Sequence, residues 1–186
     1  MFKPKLYLLA VALVPLLCQP ACASMFEKPV IQAGNATIEI AFSPDMGATG
    51  LVVKAINEAQ KTIRVAAYSF TSKPIAEALM NAHKRGIDVQ VVVDKSQAKA
   101  KYTSATFLAN VGIPTRVDYK YAIMHNKFII IDDSTTELGS FNYTSAAEKK
   151  NAENVMVIRG NKEVASRYMQ EWDRLWGESE TYQPRY

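Results

Sequence analysis

Cysteine and histidine are both scarce in this chain of 186 residues, which contains two of each. Cys18 and Cys22 lie near the N-terminus, inside a segment that we expect to be removed, so disulfides and cysteine catalysis are excluded for the rest of the chain. An excess of one charge sign is also missing, because 22 lysines and arginines accompany 18 acidic residues. This balance excludes a histone-like polycation, although a local basic groove remains compatible with it.

The composition is that of a globular protein. With 48% hydrophobic residues, the chain is neither disordered nor collagen-like. Its length suits one domain, which buries most of its apolar surface without metal or disulfide support.

The N-terminal residues 1–23 have the pattern of a secretory signal peptide. Lys3 and Lys5 form the charged start, an apolar stretch runs from Leu6 to Cys18, and residues 21–23 form a small-residue cleavage site. We expect cleavage after Ala23 and a periplasmic or secreted protein. Removal of the two lysines would lower the net charge from +4 to about +2.

Two alternatives to a cleaved signal are less favourable. A membrane anchor needs ~20 apolar residues, whereas this stretch is shorter and Pro15 interrupts it. A lipoprotein signal is disfavoured because Cys18 follows two leucines where a small residue is expected. We therefore expect no stable membrane anchor.

Strand-like and helix-like segments alternate over residues 24–186, which we interpret as a single domain. The alternation predicts an α/β fold with a mixed, largely parallel sheet sandwiched between helices. We expect a polar, loose tail from residue 178 onwards. Hydrophobic periodicity predicts strands at residues 36–42, 62–69, 87–94, 127–131, 136–138 and 154–158, and helices at 47–60, 74–86, 102–111 and 161–176.

One stretch contains the residues best suited to catalysis. His125 and Lys127 are two apart on a predicted strand and so point to the same face. An imidazole is able to act as nucleophile or proton donor, and a neighbouring lysine to hold an anion. Gly139 permits close backbone approach, while Ser140 and Asn142 offer hydroxyl and amide donors. This combination suits attack on phosphorus, where charge on the non-bridging oxygens must be matched by donors.

The pattern resembles the signature of the phospholipase D superfamily, which has a histidine and a lysine two apart and an aspartate, here Asp132, five residues after the lysine. Six residues then separate the aspartate from a Gly-Ser pair, and an asparagine follows that pair. The resemblance implies that family's α/β fold and a phosphodiesterase that uses no metal or other cofactor. It implies that His125 attacks phosphorus to give a covalent phosphohistidine. Gly139 and the side chains of Lys127, Ser140 and Asn142 would then hold the phosphate oxygens.

The same resemblance assigns two further features. Glu153 would hydrogen-bond a catalytic imidazole and so fix its tautomer. Most family members carry two copies of the motif, whereas this chain carries one, as do small bacterial periplasmic endonucleases that act as homodimers and tolerate chelators. A homodimer is therefore expected.

Asp132 belongs to the catalytic signature, but its position argues for another role. It lies seven residues after His125, so on a continuing strand it faces the opposite side of the sheet. Parity therefore favours a structural role over direct contact with substrate.

Other candidate residues have weaker signals. His83 lies near the end of a predicted helix, where a cation facing the helix dipole is the ordinary interpretation. Asp132 and Asp133 lack the accompanying histidine and carboxylate ligands of a metal site. Tyr68 ends a predicted strand and is a candidate for the mouth of the same site. A basic segment follows another strand end and is either a solvated loop or a binding site for nucleic-acid phosphates; it consists of Lys95, Lys99, Lys101 and Tyr102.

Three functions remain compatible with these residues. A non-specific nuclease cutting DNA, with RNA as a further candidate substrate, is favoured by the short length, the single motif and the basic segment. A phospholipase D acting on phospholipid head groups would need an exposed apolar surface, and we expect no exposed apolar stretch after residue 23. A catalytically dead nucleic-acid-binding module is disfavoured because the motif residues are complete.

Overall fold

A computed structural model of the protein describes residues 34–100 and 102–184. The expected signal peptide, residues 1–23, and Lys101 of the basic segment lie outside the described residues, so cleavage and export stay predictions. No helix within the described ranges is both long and apolar enough to cross a membrane.

The described residues contain eight strands and six α-helices in an alternating order. The strands are β1 (Thr37–Ser43), β2 (Thr62–Ala67), β3 (Asp88–Asp94), β4 (Thr115–Asp118), β5 (Lys127–Ile131), β6 (Thr135–Gly139), β7 (Glu153–Arg159) and β8 (Glu180–Thr181). The helices are α1 (Ala48–Asn57), α2 (Lys73–Lys84), α3 (Lys95–Lys99), α4 (Ser104–Asn110), α5 (Ser145–Lys149) and α6 (Lys162–Glu178).

All eight strands form one sheet in the order β1-β7-β6-β5-β2-β3-β4-β8. The sheet is mixed, as predicted, but the expectation that it is largely parallel is wrong. Only the pairs β2–β3 and β3–β4 are parallel in the described chain, and the other five pairs are antiparallel. The physical reason is clearest at β5–β6, where a three-residue turn leaves no room for the crossover that parallel strands require.

Helices cover both faces of the sheet, which confirms the layered α/β architecture. Helices α1, α2 and α4 share a large core with apolar side chains of β2, β3, β5 and β7, including Val65, Val91 and Ile129. Helix α6 packs on the opposite face, where Trp172 and Leu175 meet Phe128 and Ile130. Apolar packing on both faces thus fixes the sheet, and with it the polar residues at the ends of its strands.

Several short elements were not predicted. Strand β4 has four residues, and helices α3 and α5 have five each, so their hydrophobic periods are too brief to recognise. The loose tail is also a wrong prediction for its first residues, because β8 pairs with β4. Tyr182 is buried, and its hydroxyl lies 2.6 Å from the Thr106 hydroxyl.

The outer strand β1 has an unexpected exposed face. Ile38, Ile40 and Phe42 alternate along it and are 47%, 55% and 48% exposed. Glu39, on the other face, forms an ion pair with Lys54 of α1 at 2.7 Å. The expectation of no exposed apolar stretch is therefore wrong, because α6 lies over β6, β5, β2 and β4 and leaves this face of β1 open.

A buried acid fastens β6 to the chain that follows it. The Tyr143 hydroxyl donates a 2.6 Å hydrogen bond to Glu137, and both side chains are fully buried. Burial raises the pKa of Glu137 to about 8, and the hydrogen bond from Tyr143 offsets only part of this effect. The carboxyl group is therefore neutral at pH 7.

This carboxyl group should make the protein less stable as the pH rises. The unfolded chain releases the proton near the usual value of 4.5, whereas the folded chain retains it to about pH 8. Between these values the unfolded state binds fewer protons, so the free energy of unfolding falls with increasing pH and levels off above pH 8. We expect Glu137→Gln to flatten the dependence of Tm on pH between 5 and 8, measured by thermal denaturation followed by circular dichroism. The exposed Glu163→Gln is the matched control, and an unchanged slope in Glu137→Gln would contradict the assignment.

Candidate active site

Polar side chains collect at one edge of the sheet. The parallel strands β2 and β3 end there, while the antiparallel strands β5 and β7 begin there and β6 ends there. Their directions bring His125, Lys127, Ser140 and Glu153 to the same edge, although these residues are far apart in sequence. Strand direction therefore brings together residues that are distant in the sequence.

His125 and Lys127 lie side by side against one aromatic ring, that of Tyr68. The His125 ring is 4.6 Å from the Tyr68 ring, centroid to centroid, and the Lys127 Nζ atom is 5.2 Å from the same centroid. The backbone N–H of Tyr68 donates to the carbonyl of Asn126 at 3.0 Å, which extends the β2–β5 pairing past the strand end. Tyr68 therefore fixes the relative position of the two motif side chains.

The Lys127 ammonium group is largely withheld from water. Its residue is 9% exposed, and among the described residues its one hydrogen-bond acceptor is the His125 carbonyl at 2.6 Å. Burial lowers the pKa of Lys127 below its usual value, while the charge of Glu153 acts in the opposite direction. An ammonium has three N–H donors, so two remain for an anion. His125 itself is exposed.

The Gly139–Ser140 pair lies where β6 and β7 come unusually close. A Cβ atom on Gly139 would stand 2.1 Å from the Asn154 carbonyl oxygen, so no other residue fits without a backbone shift. The Ser140 hydroxyl donates to Glu153 at 2.6 Å and accepts the Asn154 N–H at 3.1 Å. In this arrangement Glu153 bonds Ser140 and Asn151 within the described chain, rather than His125.

Asn142 has a hydrogen-bonding group that the fold does not use. Its Oδ1 atom is buried and has no partner among the described residues, whereas a buried polar atom is normally satisfied. The next residue anchors the loop, since the Tyr143 carbonyl accepts the N–H groups of Thr71 and Ser72 at 2.9 and 2.8 Å. The loop is thus held beside the start of α2. The unused Oδ1 atom is an acceptor, so a phosphate oxygen would have to be bound by the Nδ2 donors of Asn142.

Asp94 holds the segment that precedes His125, a role that sequence reasoning missed. Its carboxylate is buried and accepts the N–H groups of Ser96 and Met124, both at 2.8 Å. Lys95 donates to the Tyr121 carbonyl in the same segment at 2.9 Å. The signal in sequence was a polar residue at the end of a buried strand, which fits a binding site and a loop anchor equally.

Asp132 is not brought to the other motif residues. It follows the far end of β5, a strand of five residues and about 16 Å, and has a positive φ of 55°. Its carboxylate accepts the backbone N–H groups of Gln60, Lys61 and Thr62. This residue therefore ties the start of β2 to the end of β5, in keeping with the parity interpretation and not with direct contact at His125.

The remaining candidates separate into different places. His83 is half-buried near the end of α2. The described residues contain no group of three histidine, cysteine, aspartate or glutamate side chains that could hold a metal ion. Lys95 holds a loop, as described, whereas Lys99 is exposed and has no partner in the described chain. Tyr102 is 75% exposed and lines another pocket, with Phe107 of α4. Within the described part of the basic segment, Lys95 and Lys99 line one pocket and Tyr102 lines another.

Comparison with known proteins places this geometry in a family. Residues 52–176 match the family model of the PLD-like domain of cardiolipin synthase. The chain belongs to the phospholipase D superfamily. It is accordingly a hydrolase of phosphoric diesters.

Individual members of the phospholipase D superfamily resemble most of the chain. Phospholipase D of Rickettsia conorii is 36% identical over 143 residues, which are 77% of this chain and 71% of that protein. Mitochondrial cardiolipin hydrolase of Chlamydomonas reinhardtii is 33% identical over 121 residues, 65% of this chain and 54% of that protein. The structure of Nuc, a phospholipase D family member from Salmonella typhimurium, aligns with a TM-score of 0.77 and 39% identity. That alignment covers 80% of this chain and 99% of Nuc, so the superfamily fold is confirmed.

The close approach at Gly139 gives a direct test of the site. We expect Gly139→Ala to push β6 from β7, to displace Ser140 and Glu153, and to lower both Tm and phosphodiesterase activity. Gly50→Ala in α1 is the matched control, because nothing lies within 4 Å of its added methyl group and alanine favours a helix by up to about 1 kcal/mol. Thermal denaturation and hydrolysis of bis(p-nitrophenyl) phosphate would measure the two effects. Equal Tm and activity in both variants would contradict the role given to Gly139.

Proposed function

We propose that this protein is a secreted, metal-independent endonuclease that cleaves DNA without sequence specificity. The observation that carries the proposal is the Lys127 ammonium, buried and with one acceptor, beside the exposed imidazole of His125. A cation placed in this way favours a phosphodiester anion and stabilises the charge that develops on its oxygens. The imidazole then lies where a nucleophile is needed.

The proposed reaction has two steps. In the first, an imidazole nitrogen of His125 forms a bond to phosphorus, the P–O bond to the leaving group breaks, and a second imidazole gives its proton to the leaving oxygen. In the second, water loses a proton to that second imidazole and displaces His125 from the phosphohistidine. Lys127 and the Asn142 Nδ2 group hold the non-bridging oxygens throughout, Ser140 joins them only when its hydroxyl turns away from Glu153, and no ion is required to activate the water.

A second imidazole has to come from another chain. Among the two histidines of the sequence, His83 lies ten residues into α2, about 15 Å along a helix that starts beside the site. A two-fold axis beside His125 would bring a second His125 across the phosphate. We therefore propose a homodimer with one shared site, in which Glu153 orients a catalytic imidazole.

The open face of β1 supports the same dimer. Ile38 and Ile40 pair in register with Ile158 and Met156 of β7, so four apolar side chains occupy neighbouring positions on one face. The row continues to Phe42, whose register partner Asn154 follows Glu153 of the site. An apolar surface that reaches the site favours coverage by a second copy of this chain, since a monomer rarely leaves such a patch in water.

Hydrolysis of phospholipid head groups is the second candidate function. It is favoured by the names of two relatives, phospholipase D and mitochondrial cardiolipin hydrolase, and by the exposed apolar row on β1. DNA is the better candidate because the β1 row is accounted for by the dimer, and because Lys95 and Lys99 add positive charge beside the site. A catalytically dead nucleic-acid-binding module does not account for an available Lys127 next to an exposed His125.

The substrate and the nucleophile are tested together. We expect the purified protein to convert supercoiled plasmid to nicked and linear forms in excess EDTA, and to leave phosphatidylcholine vesicles intact. His125→Ala should abolish cleavage, because the loss of one member of a cooperating catalytic set removes most of the rate. The circular dichroism spectrum should stay unchanged, since the side chain is exposed.

His83→Ala is the matched control and should cleave plasmid at the wild-type rate. Vesicle hydrolysis without plasmid cleavage would replace the nuclease by a phospholipase. Inhibition by EDTA that Mg²⁺ or Zn²⁺ reverses, or more than a few per cent activity in His125→Ala, would overturn the mechanism.

The shared site predicts the activity of mixed dimers. When equal amounts of wild type and His125→Ala are refolded together, about one quarter of randomly formed dimers carry two intact histidines. Activity should therefore fall to about one quarter of the all-wild-type value, whereas a complete site in each chain would leave about one half.

The surface of this dimer is tested by substitution. Ile40→Asp should give a monomer in sedimentation velocity and should lose plasmid cleavage. Phe107→Asp, which changes an exposed apolar residue on α4 in the other helix layer, should remain dimeric and active. A fully active monomer would reject the shared site, and a dimer that survives Ile40→Asp would reject this surface.

A further inference from the structure

A groove of about 330 Å³ opens beside His125. The function proposed above uses only the positive charge of its two lysines. We call it the Tyr119 groove. It is continuous with the site, because Tyr68 forms one of its walls and packs against the His125 ring at 4.6 Å. Its other lining residues include Lys95, Lys99, Tyr119, Ala122 and Ile123.

The walls of the groove combine apolar faces with positive charge. Tyr119 and Ile123 are 45% and 53% exposed, and neither has a ring contact or hydrogen-bond partner among side chains of the described residues. The Lys99 amine is exposed and has no partner in the described chain. The buried Asp94 carboxylate also lines the groove, but its two oxygens accept backbone N–H groups. Two lysines against one carboxylate leave the groove positive.

These features fit one unpaired nucleotide. An aromatic side chain stacks on a base that is free of the duplex, and a nearby lysine holds the phosphate. Sites for small ligands begin at about 300 Å³, so the groove has room for one base and its sugar, and a base that enters it has left its pairing partner. A choline head group would also favour tyrosine faces, yet the ammonium groups of Lys95 and Lys99 repel it.

We propose that the Tyr119 groove binds the nucleotide adjacent to the scissile phosphate of a single-stranded nucleic acid. The base stacks on Tyr119, and the next phosphate along the strand pairs with Lys99. This assignment rests on the proposed nuclease activity and adds a preference for single strands over duplexes. Tyr68 links the two sites, because it contacts the reacting imidazole and also forms a wall of the groove.

The experiment compares three substrates: a single-stranded oligonucleotide, the same sequence as a duplex, and methyl p-nitrophenyl phosphate, a small diester that has neither a base nor a second phosphate beside its leaving group. Tyr119→Leu should raise the KM for the single strand about tenfold, the effect of one lost base stack, and leave kcat/KM for the small diester unchanged. Tyr119→Trp should restore the KM because it restores the aromatic face. Lys99→Gln should raise the KM and reduce the salt dependence of binding by about one phosphate contact.

Lys84→Gln, at the far end of α2, is the matched control and should behave as wild type. The groove assignment fails if the wild type cleaves the single strand but Tyr119→Leu leaves its KM unchanged. It also fails if Tyr119→Leu slows the small diester equally, or if the duplex is the more affected substrate. A wild type that hydrolyses the small diester but cuts no nucleic acid overturns the nuclease proposal itself, together with this one.

Discussion

The proposed chemistry of this protein depends on a lysine ammonium withheld from water beside an exposed imidazole. Desolvation makes the Lys127 ammonium costly to keep charged, and an anion at the site would relieve that cost. The charge of Glu153 acts in the opposite direction and raises the pKa of Lys127. β5 lies in the middle of the sheet, paired with β2 on one side and β6 on the other, and so fixes the position of this lysine. The paired strands therefore hold the Lys127 ammonium in its desolvated position.

Strand direction decides which residues join this lysine. β5 runs antiparallel to β2, so the start of β5 meets the end of β2 and places Tyr68 against both motif side chains. The hairpin from β5 to β6 returns the chain to the same edge, where Gly139 permits the approach of β7 and Glu153. Asp132 lies at the turn of that hairpin and stabilises the opposite edge. The residues of one signature thus lie at the candidate active site at one edge of the sheet and stabilise the fold at the other.

The open face of β1 and the single exposed imidazole of the site both support the proposed homodimer. An amphipathic strand normally turns its apolar side to the core, yet here Glu39 faces α1 and Ile40 faces solvent. This reversal is consistent with a surface whose partner is another protein chain. On this face the sheet is covered by α6, whereas the other five described helices all pack into the core on the opposite face.

Local sequence determined a large part of this protein. The alternation of helices and strands, the helix stop at Gly86 and the motif spacing all depend on interactions between residues close in the chain, and they are confirmed. The proximity of His125 and Lys127 was expected from the two-residue period of a strand. These features need no knowledge of distant contacts. In the structure β5 begins only at Lys127, and the bond from the Tyr68 N–H to the Asn126 carbonyl extends its pairing towards His125.

Only the tertiary structure decided the rest. Strand direction, the short elements β4, α3 and α5, and the contact of Tyr68 with His125 depend on packing between segments distant in sequence, which no local period records. Packing between distant segments also explains why Lys99 and Tyr102 line different pockets and why Ile40 is exposed. An apolar side chain on a strand has the same pattern whether α6 covers it or not, so its burial is a property of the fold and not of the residue.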